Sequence, residues 1–230
     1  MIYKPTTVRE AVALRAEHPD DAVYLAGGTD DLRLGSDAAG KDLIDVNGLL
    51  SDKIEEKDGK LVIGALCTLQ DLKECEKVPA FLREAAGFCS SFIKRNSATV
   101  GGNIALRRQD SYLAAAFAAA NATVLATSTE GDREVPIVKY LACDCTCLLR
   151  GFVIDPSRTG WVKRFGRTSA SHATLIAAVS GDTYALSVSG SDFACGNTPD
   201  LASGMTFTDD ISGSAAYKKY LAETVFTLRR

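Results

Sequence analysis

The chain has 230 residues, 46% apolar and 24% charged, with a formal charge of −3. Those proportions exclude intrinsic disorder and collagen-like or coiled-coil architecture. The near-balance of charge gives no reason to expect nucleic acid or an anionic membrane as a partner. Seven cysteines are too sparse for a disulfide scaffold. No apolar run approaches the roughly 18 residues that a membrane-spanning helix needs, and the N-terminus has no secretory pattern. A cytoplasmic protein with reduced thiols is the expectation.

In chain order, Pro5 precedes Thr7-Val8-Arg9-Glu10, a capping-box pattern. The helix it opens turns Val8, Ala11, Val12 and Leu14 inward and ends near His18-Pro19. Residues 23–26 read as a short buried strand broken by Gly27-Gly28, and residues 43–46 as a second strand. The first 50 residues thus form a small β-α-β unit with a glycine turn at one strand end. Lys57-Asp58-Gly59-Lys60 is a hairpin-like turn before a strand over 61–65.

Helices are expected over 69–75 and 80–89, then a second glycine break in Arg95-Asn96-Ser97-Ala98-Thr99-Val100-Gly101-Gly102-Asn103. A helix near 111–120 and strands over 123–126 and 148–154 follow. Residues 155–160 read as a domain boundary. Beyond it lie strands over 173–179, with His172 read as sitting in a strand-like run, and over 184–188. Tyr217, Tyr220, Leu221, Val225 and Leu228 make the apolar face of a closing helix. The class is α+β.

Successive backbone N–H groups at a glycine turn form a concavity suited to phosphate oxygens, and glycine lets a ligand approach the backbone. Two such turns, each beside a hydroxyl (Thr29 and Thr99), could clasp the two phosphates of one dinucleotide; tight strand exits are the other reading. No GxGxxG opening a helix and no GxxxxGK[ST] occurs, which disfavours Rossmann and P-loop binding.

Tyr3-Lys4-Pro5, Ala26-Gly27-Gly28-Thr29-Asp30, Leu43-Ile44-Asp45-Val46, Ile63-Gly64-Ala65, and Arg95-Asn96 with Thr99-Val100-Gly101-Gly102-Asn103-Ile104 occur in that order. This series resembles the FAD-binding subunit of the molybdenum hydroxylases, the group containing xanthine dehydrogenase and carbon monoxide dehydrogenase. The match is dense over residues 2–106 and looser beyond, where Lys163-Arg164, Arg167 and Tyr217-Lys218-Lys219-Tyr220-Leu221 resemble the small C-terminal domain of these flavoproteins.

The resemblance implies a two-lobed FAD-binding domain of the PCMH/VAO type over 1–155, with lobes of about 1–50 and 51–155. A C-terminal α+β domain, a short antiparallel sheet plus helices, follows over 156–230. It implies that Leu25, Ala26, Gly27, Gly28, Thr29 and Asp30 hold the FAD pyrophosphate from one side, and Thr99, Gly101, Gly102 and Asn103 from the other. On that reading a valine at position 28 fills phosphate space. A carboxylate repels pyrophosphate, so Asp30 is expected to cap the next turn or bind a hydroxyl.

After Asn103 the sequence departs from the family pattern: Ile104-Ala105-Leu106-Arg107-Arg108-Gln109 lacks the usual Ser-Pro and is shorter. Asp110 takes the place of the ribose-binding aspartate, or caps a helix. Arg107 and Arg108 either neutralise phosphate or form a solvated pair. Lys163 matches a lysine near the flavin ring, and Leu148 or Leu149 packs near the cofactor or in the core. Cys143, Cys145 and Cys147 supply three thiols where an iron–sulfur cluster takes four, so they read as buried or semi-exposed thiols without a metal.

The implied function is electron transfer. Electrons come from a molybdopterin-binding subunit through a [2Fe–2S] subunit to FAD, then pass to NAD or another acceptor. Alternatives are a stand-alone flavin reductase and an assembly subunit that has lost FAD.

Overall fold

The computed structural model describes residues 1–227. Leu228, expected on the apolar face of the closing helix, lies outside the described residues.

The N-terminal unit is built from β1 (Ile2–Tyr3), α1 (Val8–Glu17), β2 (Ala22–Leu25) and β3 (Asp42–Asp45). The strands form a parallel sheet in the order β1-β3-β2. Thr7 caps α1 by accepting from the Glu10 N–H, while the Glu10 carboxylate accepts from Thr6 instead of returning to Thr7. Ala11 and Val12 on α1 pack with Ala22, Ile44 and Val46, and Leu148 joins this cluster from the neighbouring sheet.

Next come β4 (Ile54–Lys57), β5 (Lys60–Gly64), α2 (Leu69–Glu74), α3 (Ala80–Gly87), α4 (Phe92–Arg95), α5 (Val100–Ala105), α6 (Ala114–Ala119), β6 (Thr123–Ser128), β7 (Gly131–Pro136), α7 (Ile137–Leu141) and β8 (Leu148–Ile154). Their five strands form an antiparallel sheet ordered β4-β5-β8-β6-β7. The β4–β5 hairpin turns at Asp58 and Gly59, with φ of 52° and 70°. Two consecutive positive φ angles match the right-handed strand twist.

The last sheet is antiparallel, β12-β11-β10-β9, from β9 (Gly160–Phe165), β10 (Leu175–Ser180), β11 (Thr183–Val188) and β12 (Ala194–Gly196). One face, carrying Ile176, Ala178 and Ala185, packs on α3 and α6 in the main core; the other covers α8 (Ala215–Thr224). Helices α3 and α6 are therefore a layer shared by two sheets. The small side chains of α6, all buried, let both sheets approach it closely.

Four expectations need correction. The second glycine break is the helix α5, not a turn. Strands β7 and β9 stand where none was read: β7 is polar and mostly exposed, so it lacks apolar alternation. The buried face of α8 is Lys218, Leu221, Ala222 and then Val225, whereas Tyr217 and Tyr220 are 47% and 62% exposed. Positions 218, 221, 222 and 225 are the i, i+3, i+4, i+7 set, and the buried Lys218 ammonium is matched by Asp210 at 2.7 Å and the Thr208 carbonyl at 2.8 Å. His172 sits in the loop before β10 rather than in a strand.

Candidate functional site

Leu25 ends β2, and the chain leaves the parallel sheet through residues 26–31. Gly28 has φ of 64°, a left-handed conformation that costs an L-residue about 1–2 kcal/mol. Gly27 is required by proximity: a Cβ there would lie 1.8 Å from the Ser97 carbonyl oxygen and 3.4 Å from Thr99 Cγ2. The two glycine segments therefore meet. Ala26, Gly27, Gly28, Thr29 and Asp30 line one cavity of about 430 Å³ together with Thr99, Gly102, Asn103 and Asp110. That volume is in the usual range for small-molecule sites, roughly 300–1,000 Å³.

The two segments present different chemistry. Among the described residues, no acceptor meets the N–H groups of Gly27 through Asp31. This is a row of free donors at a positive-φ glycine, the arrangement that binds anions. The first N–H groups of α5 are all spent. Val100 donates to Cys67 O at 2.8 Å, Gly101 to Ala65 O at 2.9 Å, and Asn103 to Thr99 O at 3.0 Å. Gly102 donates to Thr99 Oγ1 at 3.0 Å, so the Thr99 hydroxyl serves as a helix cap.

The Asn103 side-chain oxygen accepts from Ser111 Oγ at 2.8 Å and Leu113 N–H at 3.2 Å, fixing the chain before α6. Gly101 is buried and does not reach the cavity; a Cβ there would come within 2.7 Å of Ala65. The second segment thus builds the wall and offers no second nest.

Arg108 joins the loops. It grips Asp110 with two nitrogens, at 2.9 and 3.1 Å, and reaches Asp30 at 3.1 Å across the cavity. Asp30 also accepts from Arg33 Nε at 2.9 Å, so ion pairing replaces the cap or hydroxyl expected for it. His172 Nδ1 lies 2.7 Å from Asp110 Oδ2, the oxygen that Arg108 Nη2 also meets. Burial pushes the Asp110 carboxyl up, but hydrogen bonds and charge from Arg108, with His172 behind, hold it below its ordinary value. Burial and neighbouring Asp30 instead raise Asp31 above its ordinary value.

Four residues named from the sequence lie elsewhere. Leu25 ends its strand behind the loop and does not line the cavity. Lys163 is outside it as well: strand alternation puts it on the β9 face shared with Trp161 and Phe165, 5.5 Å from the Trp161 ring and toward α8. Leu148 and Leu149 pack in two different cores, on opposite faces of β8. In Gly28 the Cβ direction points at Leu32 Cδ1, 2.8 Å away, so a substitution strains the loop instead of filling the cavity.

The 143–147 segment was not expected to meet the glycine loops, yet Cys145 and Cys147 line the same cavity as Arg107, one of the two arginines read as phosphate partners or a solvated pair. Nothing in their spacing signals this; α7 carries the thiols back across 36 or more residues toward Arg107. Among the described residues, no group of three or more His, Cys, Asp or Glu is arranged to hold a metal ion.

Residues 1–154 match the family model described as the FAD binding domain in molybdopterin dehydrogenase, and the chain belongs to that family. Over the whole chain it is similar to the uncharacterized protein YgfM of Escherichia coli K12, 31% identical across 95% of this chain and 90% of that one. The aldehyde oxidoreductase FAD-binding subunit PaoB of E. coli K12 is 39% identical over 116 residues, 48% of this chain and 36% of PaoB. The fold matches a chain of carbon monoxide dehydrogenase from Hydrogenophaga pseudoflava with a TM-score of 0.79 at 24% identity, covering 97% of this chain and 93% of that one. The architecture is thus the α+β FAD-binding domain with a C-terminal antiparallel sheet.

Proposed function

We propose that the chain binds FAD in this cavity and is the electron-transfer subunit of a molybdopterin-dependent dehydrogenase, working with a molybdopterin-binding subunit and a [2Fe–2S] subunit. The observation that carries the reading is the row of free N–H donors from Gly27 to Asp31, residues that line the cavity. It fits a pyrophosphate, which needs donors and repels carboxylates, and the nearby carboxylates are already ion-paired, Asp110 with Arg108 and Asp30 with Arg108 and Arg33. FAD held there would supply the chemistry that links a one-electron iron–sulfur donor to a two-electron acceptor, NAD or another.

The chain's own residues bind and orient. Gly27 and Gly28 hold the donors in a fixed concavity, Thr29 adds a hydroxyl, and Thr99, Gly102 and Asn103 form the opposite wall. Asp110 is positioned to take a ribose hydroxyl with the oxygen lone pairs left over from Arg108 and His172. Lys163 has no part in this proposal. Residues 1–155 and 156–230 are proposed as its two domains, a division supported by the family match ending at 154 and by the turn that Asp155 closes on the Ser157 N–H at 3.0 Å. Family kinship with PaoB, named as an FAD-binding subunit, supports the cofactor assignment.

The reading is tested by purifying the chain with its natural partners and measuring flavin, molybdenum and iron. Flavin near one per chain with both metals present supports it. A colourless chain that takes up no added FAD overturns the cofactor assignment in favour of an assembly role, and a yellow chain without metals makes it a stand-alone flavin reductase. Among the described residues no helix is long and apolar enough to cross a membrane.

A further inference from the structure

Downstream of α7, three cysteines crowd one strip of the cavity rim. Cys143 Sγ lies 3.0 Å from Cys145 Sγ, and Cys145 Sγ lies 2.7 Å from Cys147 Sγ. Arg107 is built into this strip. Its Nη2 donates to Cys145 Sγ at 3.2 Å and to the Cys145 carbonyl at 3.0 Å, and its Nε to the Tyr140 carbonyl at 3.2 Å. The guanidinium also stacks 4.5 Å from the Tyr140 ring centroid, and the Arg107 backbone takes φ of 46° to reach there. Among the described residues, Arg107 has no carboxylate within ion-pair distance, in contrast to Arg108 beside it. Its charge faces sulfur.

We propose that Cys145 and Cys147 are a hydroperoxide-reactive thiol pair on the cavity wall, Cys145 attacking the peroxide and Cys147 closing a disulfide. In the first step the Cys145 thiolate sulfur bonds to one peroxide oxygen while the O–O bond breaks. The peroxide is reduced and leaves, with a proton from solvent, as alcohol or water; Cys145 is oxidised to the sulfenic acid. In the second step the Cys147 sulfur bonds to Cys145, the S–O bond breaks, and the hydroxide leaves as water with the Cys147 proton. Two thiols and one hydroperoxide give one disulfide, one alcohol and one water.

The division of roles follows from the surroundings. Cys145 is exposed and Cys147 half-buried, so the peroxide meets Cys145 first. Burial pushes the Cys145 thiol up, but hydrogen bonds from Cys147 and Cys143 and the Arg107 charge more than offset this and hold it below the ordinary thiol value. Cys147 is pushed up to about 12, by desolvation and by donating to Cys145. The thiolate is the nucleophile, so Cys145 is the attacking sulfur and Cys147 the proton-bearing partner. The groups facing the pair are Arg107, Cys143 and Tyr140, with Asp144 on the rim and Tyr24 and Arg15 across the cavity. Of the other thiols, Cys67 and Cys89 are buried and Cys75 and Cys195 half-buried, which makes the last two internal controls.

The test is to treat the reduced, purified chain with stoichiometric hydrogen peroxide and follow each cysteine by mass mapping. The expected result is loss of two hydrogens with a Cys145–Cys147 bridge, forming about tenfold or more faster than Cys75 or Cys195 oxidise. Cys147→Ser is expected to stop at a Cys145 sulfenic acid that dimedone traps, and Cys145→Ser to lose the fast phase. Arg107→Gln, against Arg107→Lys as the charge-keeping control, moves the midpoint of the Cys145 alkylation pH profile upward, which a merely structural loss does not do. Cys145 oxidising no faster than Cys75, or a bridge that maps to Cys143 or between chains, overturns the proposal.

Discussion

The loop after β2 and the start of α5 look alike as strings: a small residue, two glycines, a threonine close by. In three dimensions they do opposite work. Gly27 and Gly28 leave a run of backbone donors without acceptors, while Gly101 and Gly102 sit inside a short capped helix whose donors all find oxygen. A glycine pair therefore reports close approach of backbone, and the hydrogen-bond accounting decides whether that closeness serves a ligand or the protein itself. Here the first pair faces a cavity, and the second holds the wall against Ala65.

Substitutions can break this contrast. The largest effect is expected from Gly27→Ala, whose Cβ would overlap the Ser97 carbonyl at 1.8 Å and force the loops apart. A loss of about 1–3 kcal/mol on denaturant unfolding should accompany loss of bound flavin; an unchanged midpoint would show that the loops do not depend on each other. Gly28→Ala comes next, at about 1–2 kcal/mol for the left-handed backbone. Flavin content should fall because the donor row is distorted, and a full complement in the variant would remove the loop from the site.

Thr99→Ala sharpens the contrast from the other side. It deletes the α5 cap and should cost about 1 kcal/mol in stability, with flavin retained when equilibrium binding is measured below the unfolding midpoint. Flavin loss without destabilisation would mean that the hydroxyl serves a ligand after all. The smallest effect concerns acid. Because the Asp110 carboxyl is held below its ordinary value, its contribution is present above the unfolded-state value and is lost as pH falls through the lower folded-state one. Arg108→Gln removes the main lowering cause, so the Asp110 titration seen by carbon NMR should move up, and the acid-dependent loss of stability that Asp110 gives the parent should shrink or vanish.

Much of the frame is legible in the residues. The Thr7 cap, the Asp58-Gly59 hairpin and the apolar run of β8 are local patterns with local causes, and the order of the motifs placed both glycine segments in one family context. The helix α5 is not legible, because a glycine pair lowers helix propensity and the bonds that hold it come from Ala65 and Cys67, more than thirty positions away. The Arg108–Asp30 bridge spans 78 positions and has no periodic signature. Lys163 resembles a family lysine in its position along the chain, but the pleat of β9 turns it toward Trp161. The role of Lys218 was hidden for the opposite reason: a charged residue at a core position is read as surface unless its partner, Asp210, is known.

The alanines of α6 bear on how the polypeptide can be divided. A chain stopped after Ile154 keeps every strand of the five-stranded sheet, yet uncovers the side of α3 and α6 that Ile176, Ala178 and Ala185 had sealed. Protease cleavage in the 155–160 turn should accordingly yield a nicked molecule whose pieces stay together through gel filtration, since neither fragment tolerates the wet surface it would expose on its own.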